Sequence, residues 1–136
     1  MFPNDVLTPD EALKKLLDGN ERYANNNRHE GSGVSNSRRL NVHNAQNPYA
    51  IVFSCSDSRV PPEYIFDAGI GDIFVIRNAG NILNEIALGS IEYAALFLKT
   101  PLLLILGHTD CGAIHATIKA FNNPEDFGNS HIDNIV

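Results

Sequence analysis

The sequence predicts an α/β fold, a parallel β-sheet core flanked by helices with an N-terminal helical arm. Three short runs rich in β-formers, 50–54, 72–76 and 102–106, are almost continuously apolar rather than alternating. That is the pattern of strands covered on both faces. Helical patterns separate the runs, and strand–helix repeated three times is the order that builds a parallel sheet. Polar, chemistry-bearing segments follow the first and third runs directly. In open α/β sheets ligands bind at the carboxyl ends of strands. If strand one is central, strand order 2-1-3 brings those two segments to one crevice.

The elements follow in order. Thr8-Pro9-Asp10-Glu11 starts a helix: Thr8 caps, Pro9 suits the first turn because its missing N–H would be unsatisfied anyway, and Glu11 completes a capping box. Leu13, Leu16, Leu17, Asn20, Tyr23 and Ala24 keep helical spacing, with Gly19 a weak point. The stripe is narrow, so this helix must dock on something. Residues 25–47 are rich in Asn, Gly and Ser and read as loop or short irregular helix. Strand one, 50–54, lies between Pro48 and Cys55. Pro61-Pro62 opens a short helix over about 62–67, ended by Gly69. Strand two, 72–76, reads as buried. Near Asn84 a helix begins in which Ala87, Ile91, Ala94, Ala95 and Leu98 share a face. Pro101 stops it, strand three follows, and 107–112 turns into a last helix at about 112–121. The run 102–106 is too apolar for an exposed edge. Either a partner chain covers it, or the sequence is the front part of a longer one, which the polar 121–136 tail favours.

Composition narrows the function. The 136 residues suit one domain, with 1–47 an arm and loop, 48–121 the α/β core and 122–136 a tail. Apolar residues at 43% and charged residues at 19% exclude disordered and fibrous classes. Sixteen acids against ten bases give a net charge of −6, and only Lys14-Lys15 and Arg38-Arg39 are adjacent bases, which argues against nucleic acid. No apolar run approaches the roughly 20 residues of a membrane span. Residues 1–5 lack the basic and apolar regions of a signal peptide, and two cysteines without a signal point to a reducing, cytoplasmic setting.

The chemistry sits in Cys55-Ser56-Asp57-Ser58-Arg59 and His108-Thr109-Asp110-Cys111. Two thiolates and an imidazole suit zinc, and three protein ligands leave a fourth position open, as catalytic sites do. Such a set neutralises the ion's charge, so bound water needs nearby hydrogen-bond acceptors to ionise near neutrality. Asp57 is placed to bind the metal or accept that proton, and Arg59 to hold the carboxylate in a bidentate pair. Other readings stay open: two structural buried cysteines, a Cys55–Cys111 disulfide, a satisfied loop histidine, a structural Asp57–Arg59 ion pair. Gly69-Ile70-Gly71 precedes a strand and is no dinucleotide fingerprint. His29, His43, His115 and His131 lack paired spacing and read as surface residues.

These residues resemble the β-class carbonic anhydrases, in their plant-like and bacterial branch. The resemblance runs from about Thr8 to Ala120. Its blocks begin at Gly19-Asn20-Glu21-Arg22-Tyr23, Cys55-Ser56-Asp57-Ser58-Arg59-Val60, Gly71-Asp72-Ile73-Phe74, Gly89-Ser90-Ile91-Glu92-Tyr93 and Gly107-His108-Thr109-Asp110-Cys111-Gly112. The resemblance implies a carbonate dehydratase: reversible hydration of CO₂ to bicarbonate and a proton by zinc-bound hydroxide, with one Zn²⁺ per chain. It matches Cys55, His108 and Cys111 to the zinc ligands. Asp57 and Arg59 match the Asp–Arg dyad, whose carboxylate orients the hydroxide or, in a closed state, becomes a fourth ligand. Gln46 matches a bicarbonate hydrogen-bond donor, Phe74 and Tyr93 match apolar pocket residues, and Ala79 stands where valine is frequent. Gly112, at a helix start, offers a backbone N–H to negative charge on the product. The resemblance further implies a homodimer or higher homo-oligomer with the site near the subunit interface, the N-terminal helix wrapping a neighbour. Family members continue past this length with another helix and strand, so the chain is C-terminally shortened against them. Hydrolysis of carbonyl sulfide or carbon disulfide, linear isosteres of CO₂, is a second enzyme reading. A catalytically silent zinc-binding fragment or interaction module is a third.

Overall fold

The structure, a computed structural model, describes residues 7–29, 32–123 and 130–136. The expectations on residues 1–5, and on 124–129 of the tail, lie outside these.

Helix α1 (Pro9–Ala24) starts as its sequence demands. Thr8 Oγ1 accepts from the Glu11 backbone N–H at 3.3 Å, and the Thr8 N–H donates to Glu11 Oε2 at 2.8 Å. Its buried residues Ala12, Leu16 and Gly19 lie on one face. Ala12 and Leu16 join Tyr49, Ala50, Val52 and Phe66 in the core cluster. Gly19 is not a weak point. A Cβ there would stand 1.9 Å from the Phe66 carbonyl oxygen, so glycine is what lets the helix approach this closely. Asn20, on the same stripe, donates Nδ2 to the Ile65 carbonyl at 3.2 Å. The narrow stripe thus docks on its own chain.

The Asn/Gly/Ser-rich stretch contains a 3₁₀ turn at Ser32–Val34 and a short helix α2 (Asn36–Asn41) capped by Ser35. Strands β1 (Ala50–Cys55), β2 (Ile73–Asn78) and β3 (Leu103–Leu106) form a parallel sheet in the order β2-β1-β3. Helix α3 (Pro62–Ile65) and helix α4 (Glu85–Leu96), capped by Asn84, supply the crossovers, and α5 (Gly112–Asn122) follows β3. Every residue of β1 is buried. Its side chains alternate: Ala50 and Val52 meet α1, while Ile51, Phe53 and Cys55 point to the other face.

Two expectations need correction. Strand β2 is half-buried throughout rather than buried, because it forms one edge of the sheet. On the expected face of α4, Ala87 and Ala94 are buried and Ile91 is half-buried, as is Leu98 just beyond the helix, but Ala95 is exposed. That helix is apolar nearly all round, so periodicity could not tell that Ala95 lies off the face against β1 and β2. Within the described part of the tail, Ser130 caps a 3₁₀ turn at His131–Asn134. The expected uncovered edge is present: Ile105 in β3 is 63% exposed.

Candidate metal centre

Topology assembles the site. The register pairs Ser54 of β1 with Leu106 of β3, so Cys55 and the loop 107–111 leave the sheet side by side. Cys111 is the N-cap of α5, so the positive end of that helix dipole faces the cluster. On the other flank Cys55 pairs with Asn78, the last residue of β2, after which the chain makes a tight turn at Ala79–Asn81.

One ligand atom each from Cys55, His108 and Cys111 lies within 4.8 Å of the other two. Both cysteines are free and buried, with their Sγ atoms 3.9 Å apart. A disulfide needs about 2.05 Å. By contrast, two sulfurs on a tetrahedral zinc with bonds of about 2.3 Å stand about 3.8 Å apart. His108 Nδ1 lies 2.8 Å from the Thr109 carbonyl, which requires Nδ1 to be the N–H and leaves the lone pair on Nε2. Nε2 is buried without a hydrogen-bond partner. An unsatisfied buried acceptor costs about 1–3 kcal/mol, a cost that coordination removes. The three donors therefore fit a soft divalent ion such as zinc.

Burial pushes the Cys55 thiol up. The His108 ring, the backbone N–H groups of Asp57 and Gly80, and Cys111 outweigh it and bring the thiol down to about 7. Cys55 beside it raises His108 in turn. The Gly80 N–H donates to Cys55 Sγ at 3.3 Å.

Asp57 and Arg59 form a fork-to-fork pair. Nε donates to Oδ1 at 2.9 Å and Nη2 to Oδ2 at 2.7 Å, with the Arg59 backbone N–H adding 2.9 Å to Oδ1. Those bonds hold the carboxyl well below the usual carboxylate range, and so ionised. Its Oδ2 stands 3.9 Å from His108 Nε2, at the edge of the cluster. Arg59 Nη2 also reaches the Asp110 carbonyl at 3.1 Å, tying the two ligand loops together.

Arg77 was not singled out in the sequence. Its Nε donates to the Cys55 carbonyl at 2.9 Å and Nη2 to the Asp57 carbonyl at 2.7 Å, clamping the loop on both sides of Ser56. The available signal was a lone charge ending an otherwise apolar strand. Phe74 and Tyr93 meet across β2 and α4 with ring centroids 6.2 Å apart. Gly112 opens α5 with free space where a side chain would be. Ala79 is exposed. Gln46 stands apart, exposed in the coil before β1 and without a hydrogen bond to the cluster.

Comparison with known proteins identifies the family. The carbonic anhydrase family profile matches residues 50–136. A carbonic anhydrase of Mycolicibacterium smegmatis is 48% identical over 125 residues, covering 91% of this chain and 59% of the relative. Among solved structures, the β-carbonic anhydrase CcaA superposes with a TM-score of 0.62 at 31% identity, over 84% of this chain and 56% of that one. One of two tetrameric β-carbonic anhydrases of Sordaria macrospora gives 0.58 at 29% identity, over 78% of this chain and 53% of that one. The chain thus spans somewhat over half the length of the relatives it matches.

Proposed function

Because this chain belongs to the β-class carbonic anhydrase family, we propose that Cys55, His108 and Cys111 hold one zinc ion per chain and that the site hydrates CO₂ reversibly to bicarbonate and a proton. The observation that carries this is the convergence of two free thiols and one unpartnered buried imidazole nitrogen from distant stretches of chain. Zinc bound there supplies Lewis-acid activation of water near neutral pH.

The remaining work belongs to side chains and backbone. Asp57 stays ionised in the grip of Arg59 and presents an acceptor beside the cluster, so it aims the attacking oxygen by taking its proton in a hydrogen bond. Arg77 fixes the backbone on which that aim depends. Phe74 and Tyr93 offer an apolar wall suited to an uncharged linear substrate, and the Gly112 N–H serves negative charge on the product, whereas Gln46 is too far from the cluster within this chain to share that role. We assign the protein to a homo-oligomer, as the Sordaria macrospora relatives are tetrameric, and to a reducing, cytoplasmic setting that keeps both thiols free. No helix among the described residues is long and apolar enough to cross a membrane.

Stopped-flow CO₂ hydration with metal analysis on the same sample tests the proposal. The expected result is one zinc per chain and hydration above the buffer rate, with both lost in Cys55→Ser. Zinc without hydration would favour a silent zinc-binding module. No bound metal would remove the proposal altogether.

A further inference from the structure

We propose that Gly80 is a positioning residue of the metal centre: its backbone N–H, presented by the turn after β2, holds the Cys55 sulfur and tempers the charge that sulfur gives to the metal. The inference rests on the metal-centre reading above and extends it to a residue that touches neither metal nor substrate.

The geometry is specific. Gly80 is buried, and its N–H donates to Cys55 Sγ at 3.3 Å. The turn carrying it is fixed by neighbours. The Ser56 N–H donates to the Asn78 carbonyl at 2.9 Å, in step with the Cys55–Asn78 register. Asn78 Nδ2 then closes on the Ile82 carbonyl at 2.8 Å, spanning the turn. Within it Gly80 adopts φ 67° and ψ 13°, a left-handed conformation that disfavours any side chain. A Cβ would also meet the Ala113 Cβ of α5 at 2.9 Å. Two independent constraints, backbone conformation and the approach of α5, therefore demand glycine at the point where the N–H meets the sulfur.

The chemical consequence follows from charge. Two thiolates and a neutral imidazole cancel a divalent ion's charge, which weakens its Lewis acidity. An N–H directed at one sulfur draws electron density away from the metal and restores part of it, while fixing the sulfur's direction.

Two measurements test this. In isotope-labelled protein loaded with NMR-active cadmium, a scalar coupling between the metal and the Gly80 amide proton, transmitted through Sγ, is expected, and none to Ala79 or Asn81. Replacing Gly80 by glycolic acid turns the amide into an ester, removing the N–H without adding a side chain. Zinc affinity, read by chelator competition, should fall by about tenfold or more. The sulfur-to-metal charge-transfer band of the cobalt(II) form should move to lower energy. General loosening of the fold would lower the melting temperature without moving that band. Absent coupling in cadmium-loaded protein, or an unmoved band in the ester, overturns the proposal. Failure of the unaltered protein to bind cadmium, cobalt or zinc would instead overturn the metal-centre reading beneath it.

Discussion

Arg59 holds Asp57 with both prongs of its guanidinium and keeps the carboxylate ionised 3.9 Å from His108 Nε2. In Arg59→Ala only the backbone N–H of residue 59 still holds that carboxylate, which is then far freer to swing onto the three donors. The expected outcome is unchanged zinc content with CO₂ hydration reduced about ten- to a hundred-fold, and partial recovery in Arg59→Lys, whose single ammonium cannot reproduce the fork. Metal analysis and stopped-flow rates on the same samples decide it, and an Arg59→Ala protein with unaltered turnover would remove the pair from the mechanism. At this scale the sequence discloses whatever is local. Asp57 and Arg59 lie two residues apart on a loop that follows a strand, so their pairing is legible from spacing. The ligand thiols and imidazole are legible as residue types at strand ends. Arg77 and Gly80 are not, because they reach Cys55 from the neighbouring strand, and only the register of β1 against β2 reveals which backbone atoms they meet.

Between elements, the decisive contact is Asp67, just after α3, where it gathers the end of α1 and the chain beyond. Arg22 Nε lies 2.6 Å from Oδ2, the His29 backbone N–H donates at 3.2 Å, and the Arg28 guanidinium stacks 3.6 Å from the centre of the Tyr64 ring. Burial pushes the Asp67 carboxyl up, but the Arg22 and His29 hydrogen bonds and charges outweigh it and hold it below the usual range. A depressed carboxyl stabilises the fold fully above its unfolded value of about 3.9, and that contribution is lost as pH falls through the lower folded value. Asp67→Asn is the apt probe, since asparagine tolerates the residue's φ of 47°. Urea unfolding should show it less stable by about 2 kcal/mol at neutral pH. The difference should shrink below about pH 4. A deficit independent of pH would mean the carboxylate's charge plays no part. Helix α1 itself was readable from its capping box and stripe. The use of Gly19 was not, because a helical pattern carries no information on the carbonyl it must pass. The face of α4 was legible apart from Ala95: apolar residues surround the helix, and only the sheet decides that this alanine stays exposed.

For the whole molecule, the sheet sets the balance between stability and association. Only β1 is covered on both faces, while β3 is an edge with Ile105 63% exposed. On the helices, α4 presents Ile86 at 80%, with Phe97 just beyond at 76%, and α5 presents Phe121 at 87%. The order of the strands and the exposure of this edge were legible, because a continuous apolar run such as 102–106 demands cover that no segment among the described residues supplies. What covers the helices was not, since hydrophobicity reports the need for a neighbour and not its identity. Large exposed apolar surfaces are costly in water and mark association sites. The chain should therefore sediment above its own 14.9 kDa over a wide concentration range. Placing a charge on the surface in Ile86→Glu with Phe97→Glu should shift it towards that mass, because a carboxylate buried in an apolar contact opposes assembly. Both side chains already face water, so far-UV circular dichroism and zinc content should be unchanged. Sedimentation identical to that of the unaltered chain would show that this face is not where copies meet, and would leave the β3 edge as the surface to charge next.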